Sequence, residues 1–484
     1  MHDFTALVAI CFDIYVILTI IFLLLDNRDT STTLSWIFIF ILFPVLGQIL
    51  YFLIGRNWRN VGKKKQLIRQ HVTEKLIAIL KPLLDIQQEN IKQLKASDGS
   101  VRKHKLLQLL YANSNSILTN NNQLTVIQQG EDKFRLLLQD ISQAKSFIHM
   151  EYFIWRSDQL TEKFKILLSE KVKAGVRVRI LYDALGSFFT KKRYLKELRK
   201  AGVEIYPYYD FRSLFTIHTL NYRNHRKIVI IDGQIGYTGG MNMGQEYIDG
   251  GKQFEYWRDT HLRIQGNAVA VLQAVFLTSW LNTTGEDLFH EDYFVLNNSI
   301  DENMPIQITT SGPDSQWESI QQLYLCLIAS AEKSIYIQSP YFVPDSAIHS
   351  MLKTAALSGL DVKIMMTGIP DRHLPFWSAY TFFKDLLKAG VKIYQYKKGF
   401  LHAKTISIDG ELCSIGTANM DIRSFHLNYE LSTLIYDYKI TQDLVKTFEK
   451  DLANCAEITI EDYNNFSELF KLRNSLARLF APLL

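Results

Sequence analysis

Two blocks of this sequence share a pattern of residues suited to attack on a phosphodiester. One reads His225-Arg-Lys227-Ile-Val-Ile-Ile-Asp232-Gly and continues to Gly239-Gly-Met-Asn242. The other reads His402-Ala-Lys404-Thr-Ile-Ser-Ile-Asp409-Gly and continues to Gly416-Thr-Ala-Asn419. Both follow His-x-Lys-x4-Asp-x6-Gly-x2-Asn, with 17 positions from His to Asn. A neutral imidazole can attack phosphorus and form a phospho-histidine, dividing one hard displacement into two. A second, protonated imidazole can give the leaving alkoxide its proton and later take one from the acceptor. Charge on the non-bridging oxygens calls for fixed donors, and Lys227, Lys404, Asn242 and Asn419 are the candidates for binding phosphate. No carboxylate cluster for magnesium and no His-x3-His zinc pair accompanies the blocks, so neither metal nor other cofactor is expected.

Positioning these groups needs strands. His and Lys two apart leave the same face of a strand, Ile228 to Ile231 run into a core, and Asp-Gly makes a hairpin turn. The returning strand should bring the Asn back beside the His and Lys. The surrounding chain repeats too. Lys145-Ser-Phe-Ile-His-Met-Glu-Tyr-Phe-Ile154 matches Lys333-Ser-Ile-Tyr-Ile-Gln-Ser-Pro-Tyr-Phe-Val343, Ala174-Gly-Val-Arg-Val-Arg-Ile180 matches Ser358-Gly-Leu-Asp-Val-Lys-Ile364, and Lys200-Ala-Gly-Val-Glu-Ile-Tyr206 matches Lys388-Ala-Gly-Val-Lys-Ile-Tyr394. Each is a helical stretch, a glycine stop and a β-branched strand, so each half should be a sheet flanked by helices. From Tyr208 to His225 is 17 residues but from Tyr396 to His402 only 6, so an inserted loop around 210–220 should lie near the site.

Composition bounds the rest. Hydrophobic residues are 47% of the 484 and charged residues 21%, which excludes a disordered chain. Four cysteines with no C-x-x-C pair exclude a disulfide scaffold and a cysteine-rich zinc site. Fifty-four basic against 49 acidic residues leave +5, too mild for a chain-wide nucleic-acid surface, and no nucleic-acid partner is expected. Thr5 to Leu25 and Leu34 to Ile54 are apolar runs of 21 residues each, long enough for two transmembrane helices. Met1-His2-Asp3 lacks the basic start of a signal peptide. Arg56, Arg59, Lys63, Lys64, Lys65 and Arg69 follow the second run, while the link offers only Arg28. Both hairpin ends and all that follows are therefore expected in the cytoplasm. Asp13 lies near one end of its run, where snorkelling would serve it. The expected organisation is a membrane hairpin over 1–58, a juxtamembrane helical linker over 59–116, a first lobe over 117–300 and a second over 301–484.

The double block resembles the phospholipase D superfamily and its paired H-K-D motifs. The resemblance implies an α/β fold of two pseudo-twofold-related lobes, here preceded by the membrane hairpin. It implies His225, Lys227, Asp232, His402, Lys404 and Asp409 as the catalytic set, with His225 the nucleophile, His402 the acid/base and each Asp supporting structure more than chemistry. A downstream carboxylate orients each His in that family. Aligning Trp257-Arg-Asp-Thr-His-Leu262 with Asn428-Tyr-Glu-Leu-Ser-Thr433 offers Asp259 and Glu430, at spacings of 34 and 28 from the motif His, with Glu255 a rival to Asp259.

Within the superfamily, several segments are similar to bacterial cardiolipin synthases. They are Pro44-x-x-Gly47-x-x-x-Tyr51-x-x-x-Gly55-Arg56, Gln338-Ser-Pro-Tyr-Phe-Val-Pro-Asp345, Gly399-Phe-Leu-His-Ala-Lys404, Gly416-Thr-Ala-Asn-Met-Asp-Ile-Arg-Ser-Phe425 with Leu427-Asn-Tyr-Glu430, and Arg478-Leu-Phe-Ala-Pro-Leu-Leu484. The likeness runs from about residue 34 to the end and is weakest over 60–115. It implies transfer of a phosphatidyl group between two phosphatidylglycerols, giving cardiolipin and glycerol, at a bacterial cell membrane rich in anionic lipid. A membrane-anchored phospholipase D or phosphatidylserine synthase would use the same residues with water or serine as acceptor, and that alternative stays open here. Leu469 to Leu484 reads as a C-terminal amphipathic helix, either interfacial or packed on the core. The stretches 188–193 and 374–380 are candidate lipid-facing rims.

Overall fold

The computed structural model describes residues 2–25, 30–51, 55, 72–87, 91, 101–208, 221–296, 300 and 302–481. The expected loop at 210–220, the basic residues Arg28, Arg56, Arg59, Lys63, Lys64, Lys65 and Arg69, and the Asp13 side chain lie outside the described residues. The chain forms two compact units, Met1–Gly62 with Tyr209–Tyr222, and Lys63–Tyr208 with Arg223–Leu484.

The first unit carries α1 (His2–Leu25), α2 (Thr30–Leu42) and α3 (Pro44–Leu50). The second apolar run is not the single helix its length suggests. Pro44 lacks an N–H and pushes Phe43 out of helical backbone, at φ −135° and ψ 70°, so α2 stops and α3 begins. The chain turns sharply enough that Gly47 lies against the Ile39 carbonyl, where a Cβ would approach its oxygen to 2.9 Å. Among the described residues no helix is long and apolar enough to cross a membrane, so the expected pair of spans is not observed. Leu23, Trp36, Phe40 and Tyr51 form a small buried cluster, while Leu18, Leu25, Phe38, Ile41, Leu42 and Val45 stand exposed.

In the second unit the strands, in chain order, are β1 (Leu118–Thr119), β2 (Asn122–Ile127), β3 (Phe147–Tyr152), β4 (Arg177–Asp183), β5 (Glu204–Tyr208), β6 (Arg223–Asn224), β7 (Ile228–Ile231), β8 (Ile235–Gly239), β9 (Trp257–Arg258) and β10 (His261–Gly266). The repeat continues with β11 (Ile306–Ser311), β12 (Ser334–Gln338), β13 (Phe342–Val343), β14 (Asp361–Thr367), β15 (Lys392–Tyr396), β16 (Phe400–Leu401), β17 (Thr405–Ile408), β18 (Leu412–Gly416), β19 (Met420–Asp421), β20 (Asn428–Ile435) and β21 (Cys455–Ile458). The first sheet runs β2-β10-β8-β7-β3-β4-β5. The second runs β1-β11-β20-β18-β17-β12-β14-β15-β21, with β6 added beside β20. Seven strands of each therefore correspond one to one, and in both the last three of the seven are parallel, as strand–helix–strand units require. The duplication legible in the sequence is a duplication of sheets.

Helices cover the sheets. α4 (Val101–Ser114) precedes β1, and α5 (Gly130–Ser142) leads into β3. In the second half α6 (Ser319–Ser330) leads into β12, while α7 (His373–Ala389) and α8 (Glu468–Arg478) pack together near the end of the chain. Two segments depart from the expected boundaries. α4, expected within the juxtamembrane linker, buries Leu106, Leu107 and Leu110 as an apolar stripe in the second lobe's core. β1, expected in the first lobe, pairs with β11 of the second. α8 rests Asn474 and Ala477 on the fold but leaves Leu469, Leu472 and Leu476 exposed, and Leu479 just after it is exposed too.

Candidate active site

Short strands exchanged between the lobes deliver the two histidines. β6, just before His225, pairs in parallel with β20 of the second lobe, and β16, just before His402, pairs in parallel with β9 of the first. The His225 N–H then donates to the Tyr429 carbonyl at 3.0 Å and the His402 N–H to the Arg258 carbonyl at 2.7 Å. The next residue along each receiving segment is a carboxylate, and it holds the histidine of the opposite lobe. Glu430 Oε1 and Oε2 lie 2.9 and 3.0 Å from His225 Nδ1, and Asp259 Oδ2 lies 2.7 Å from His402 Nδ1. Glu255, the rival candidate, makes neither contact.

The two carboxylates are accommodated differently. A Cβ at Gly240 would overlap the Asp259 carboxylate, so glycine there makes room for it. At the matching place in the second copy stands Thr417, whose Oγ donates to Glu430 Oε2 at 2.5 Å. Asn428 Nδ2 donates to Glu430 Oε1 at 3.2 Å, and the Thr260 N–H to Asp259 Oδ1 at 2.7 Å. Neither Gly240 nor Thr417 is marked by the sequence motif as more than a spacer.

Burial pushes both carboxylates up, but the facing imidazole, the motif lysine and a further hydrogen bond together leave each below its usual range. Burial, opposed by Glu430, brings His225 down to about 4. Burial and then Lys404 bring His402 down to about 3. Both imidazoles are therefore neutral near pH 7, with Nδ1 engaged and Nε2 left for chemistry. Burial also lowers Lys227 to about 7 and Lys404 to about 8, each depressed or held up by charges of both halves. Each Nζ donates to the carbonyl of its own motif His at 2.5 Å, which leaves two N–H groups of a three-donor ammonium for an oxyanion. Phe153 packs 4.9 Å from His225 and Trp257 5.2 Å from His402, ring centroid to centroid, walling the pair with apolar surface.

Other expected site residues are placed elsewhere. Asp232 and Asp409, counted in the catalytic set, sit at the far ends of β7 and β17 from the histidines. The Asp232 carboxylate accepts from the N–H groups of Lys145, Ser146 and Phe147 at 2.7, 2.8 and 2.9 Å. Asp409 accepts likewise from Glu332, Lys333 and Ser334, and also pairs with Arg102 of α4. Their φ angles of +53° and +55°, each followed by a glycine at +67°, are those of a type I′ turn, where Asp-Gly is favoured. Of Asn242 and Asn419, expected to bind phosphate, Asn242 has both amide atoms engaged within the fold, while Asn419 Oδ1 is buried without a hydrogen-bond partner. Asn242 Nδ2 donates to the Tyr247 hydroxyl at 2.9 Å and its Oδ1 accepts from the Ile154 N–H at 3.1 Å. Asn419 hydrogen-bonds Asp421.

The two lobes have counterparts among known proteins. The family model described as "Cardiolipin synthase, PLD-like domain" matches residues 137–277 and again 324–452, once in each lobe. The chain is 41% identical to the major cardiolipin synthase ClsA of Bacillus subtilis (strain 168), over 99% of both chains. It belongs to the bacterial cardiolipin synthase family of the phospholipase D superfamily. A second cardiolipin synthase, from Halalkalibacterium halodurans, is 40% identical over 98% of this chain and 94% of its own. The model described as "Phospholipase_D-nuclease N-terminal" matches residues 11–56, ahead of the cardiolipin synthase lobes. In fold, the phosphatidylserine synthase of Haemophilus influenzae Rd KW20 superposes with a TM-score of 0.58 at 14% identity, over 79% of this chain and 99% of that one.

Proposed function

We propose that this cardiolipin synthase family member joins two phosphatidylglycerols, with His225 as nucleophile and His402 as acid and base. The observation that carries the reading is the reciprocal hold. Each buried carboxylate fixes Nδ1 of the opposite lobe's histidine, so two neutral imidazoles with two lysines beside them serve one centre. His225 Nε2 attacks the phosphorus of one phosphatidylglycerol, the bond from phosphorus to the glycerol oxygen breaks, and protonated His402 gives that oxygen its proton. The anionic phosphodiester itself favours the proton on His402 when bound, opposing the burial that otherwise drives it off. Neutral His402 then takes the proton from the terminal hydroxyl of a second phosphatidylglycerol. The new oxygen attacks phosphorus, His225 is released, and cardiolipin and free glycerol are the products. Lys227 and Lys404 hold the charge that builds on the non-bridging oxygens.

Both substrates are lipids, and the same reading assigns the apolar helices of the first unit to the bilayer, with the lobes at its cytoplasmic surface. Their support is the exposed apolar row of α1, α2 and α3, far more than water-facing helices carry. α8 is assigned to the interface as well. Its exposed leucines border an apolar cavity of about 300 Å³, lined by Leu374, Trp377, Leu469, Leu472, Leu476 and Phe480, with Arg473 stacked 4.6 Å over Trp377. Phe188 and Phe189 are exposed on the first lobe and serve as a second rim.

The test is substitution of each histidine. His225→Ala and His402→Ala should each abolish cardiolipin formation from phosphatidylglycerol in detergent while keeping the wild-type melting behaviour. Near wild-type turnover in either variant would remove the assignment.

A further inference from the structure

Two loops with no part in the mechanism above take equivalent places in the two lobes. The N–H groups of Phe147 and Ser334 make the same bond to Asp232 and Asp409, which sets Phe153 opposite Pro340 and Ile154 opposite Tyr341. Phe147 pairs with Arg177 and Ser334 with Asp361, so the loops after β4 and β14 correspond, with Ser187 opposite Asp371. Each loop is tied to the segment that follows β3 or β12. In the first lobe Ser187 Oγ donates to the Phe153 carbonyl at 3.1 Å and accepts from the Trp155 N–H at 2.9 Å. In the second the Tyr341 hydroxyl donates to Asp371, 2.7 Å from both carboxylate oxygens.

In the first lobe this place borders the site. A Cβ at Gly186 would overlap the carbonyl and ring of Phe153, and Phe153 packs on His225. In the second lobe the same place is fastened to the His402 motif. Ser339 Oγ donates to the Tyr341 carbonyl at 2.6 Å and accepts at 2.9 Å from the N–H of Met420, the residue after Asn419. From the first lobe, Gln253, just ahead of the Trp257 that packs on His402, donates its Nε2 to the Pro370 carbonyl at 3.1 Å. The two places differ in chemistry. Phe153 lays an aromatic ring against His225, and Pro340 has no such reach. Asn242 Oδ1 accepts from the Ile154 N–H, whereas Asn419 Oδ1 is buried without a partner. Ser187 links backbone to backbone, but Asp371 stands exposed, and among the described residues its hydrogen-bond partner is Tyr341 and no cation pairs with it. With its proton given to Asp371, the Tyr341 oxygen can only accept, so the pair presents carboxylate and phenol acceptors side by side. The lysines of the centre are donors and suit phosphate, while the free hydroxyls of an alcohol need acceptors, a charged one above all.

We propose that Asp371 and Tyr341 form a polyol subsite on the His402 side of the centre, where they accept from the free hydroxyls of the glycerol headgroup that leaves or arrives there. This rests on the phosphatidyl-transfer reading, in which the alcohol oxygen is the atom that exchanges a proton with His402. Asp371 is then a specificity-determining residue, because a headgroup with a single hydroxyl has nothing to give the pair and leaves its acceptors unmatched. The first lobe, with Phe153 and Ser187 in the equivalent places, has no such pair, so the two sides of the centre are unequal.

The full chain is prepared as Asp371→Ala and Tyr341→Phe, and headgroup exchange on phosphatidylglycerol is followed with labelled glycerol, propan-1-ol and ethanolamine as acceptors. The wild type should favour glycerol over propan-1-ol, and both variants should reduce that ratio about tenfold, through the KM for glycerol. An unchanged ratio in both variants would overturn the proposal and leave the pair as a tie within the lobe. A loss with ethanolamine as large as the loss with glycerol would overturn it too, since Asp371 would then act as a counter-charge to an amine. In parallel, calorimetry with glycerophosphoglycerol, the deacylated lipid, needs no turnover. Its affinity should fall about tenfold in both variants while that of glycerophosphopropanol holds, and an equal fall for the two would overturn the subsite. If the wild type exchanges no headgroup, the transfer reading fails, and calorimetry still decides whether Asp371 and Tyr341 take a polyol.

Discussion

Glu430→Gln isolates the cross-lobe contact with the least change of shape. The amide can still accept from His225 Nδ1–H, so the ring keeps its place, but the negative charge facing the imidazole is gone. In the wild type that charge sits 2.9 Å from Nδ1 within buried surroundings. When His225 attacks phosphorus its ring becomes cationic, and a unit charge about 4 Å away in a medium of effective dielectric near 20 stabilises it by about 4 kcal/mol. Losing that term slows formation of the phospho-histidine by about a thousandfold, with KM little changed, because the interaction strengthens only as charge develops. Asp259→Asn should cost a similar factor through His402, and a chemical difference separates the two. A phosphatidyl ester of nitrophenol leaves without a proton, so it should restore the first step in Asp259→Asn and let the histidine adduct accumulate. It should restore nothing in Glu430→Gln. Rapid-quench measurement of the adduct reads both. A loss below about tenfold in Glu430→Gln, or rescue of Glu430→Gln rather than Asp259→Asn, would refute the crossed assignment.

Other consequences follow from the same contacts. Asp232→Asn leaves amides at the β3 turn without an acceptor and should destabilise the protein by about 2 kcal/mol, with activity falling only as the folded fraction falls, a comparison of melting and rate at several temperatures. Gly240→Ala pushes a methyl into Asp259 and should depress turnover at least tenfold, whereas Thr417→Val, which removes one donor from Glu430, should cost several-fold, both read as kcat. Stability should fall as pH drops. His225 and His402 remain neutral down to about 4 and 3 when folded but bind protons below about 6.5 when unfolded, so between pH 6.5 and 4 the unfolded state holds up to two more protons. The depressed carboxylates add a loss of the same sign at lower pH. The slope is about 1.4 kcal/mol per pH unit for each histidine, and His225→Gln should reduce it by one such step in denaturant titrations.

Much of this was legible because chemistry constrains residue types more tightly than packing does. His225, Lys227, His402 and Lys404 announce themselves as two copies of one pattern, and Asp-Gly after an isoleucine run announces a turn that the positive φ of Asp232 and Asp409 bears out. Aligning the two halves of the chain with each other also sets Asp259 opposite Glu430, despite unequal spacing from the motifs. That each reaches the other lobe's histidine depends on β6 and β16 crossing over, two-residue pairings no local pattern encodes. The spacing that returns Asn242 beside Lys227 along the chain says nothing of the Tyr247 hydroxyl to which its Nδ2 donates. A count of apolar residues over 34–54 could not weigh Pro44, whose effect is on backbone geometry rather than hydropathy. α4 showed its polar residues in the sequence more plainly than the leucine stripe that fastens it to the second lobe.

The most direct test uses the purified full chain with phosphatidylglycerol as the sole lipid, labelled in the glycerol headgroup, and follows lipid products and free glycerol together. The account predicts cardiolipin and glycerol in equal amounts, both absent in His225→Ala. Phosphatidic acid in place of cardiolipin would contradict the lipid acceptor, and equal cardiolipin from His225→Ala would contradict the histidine relay.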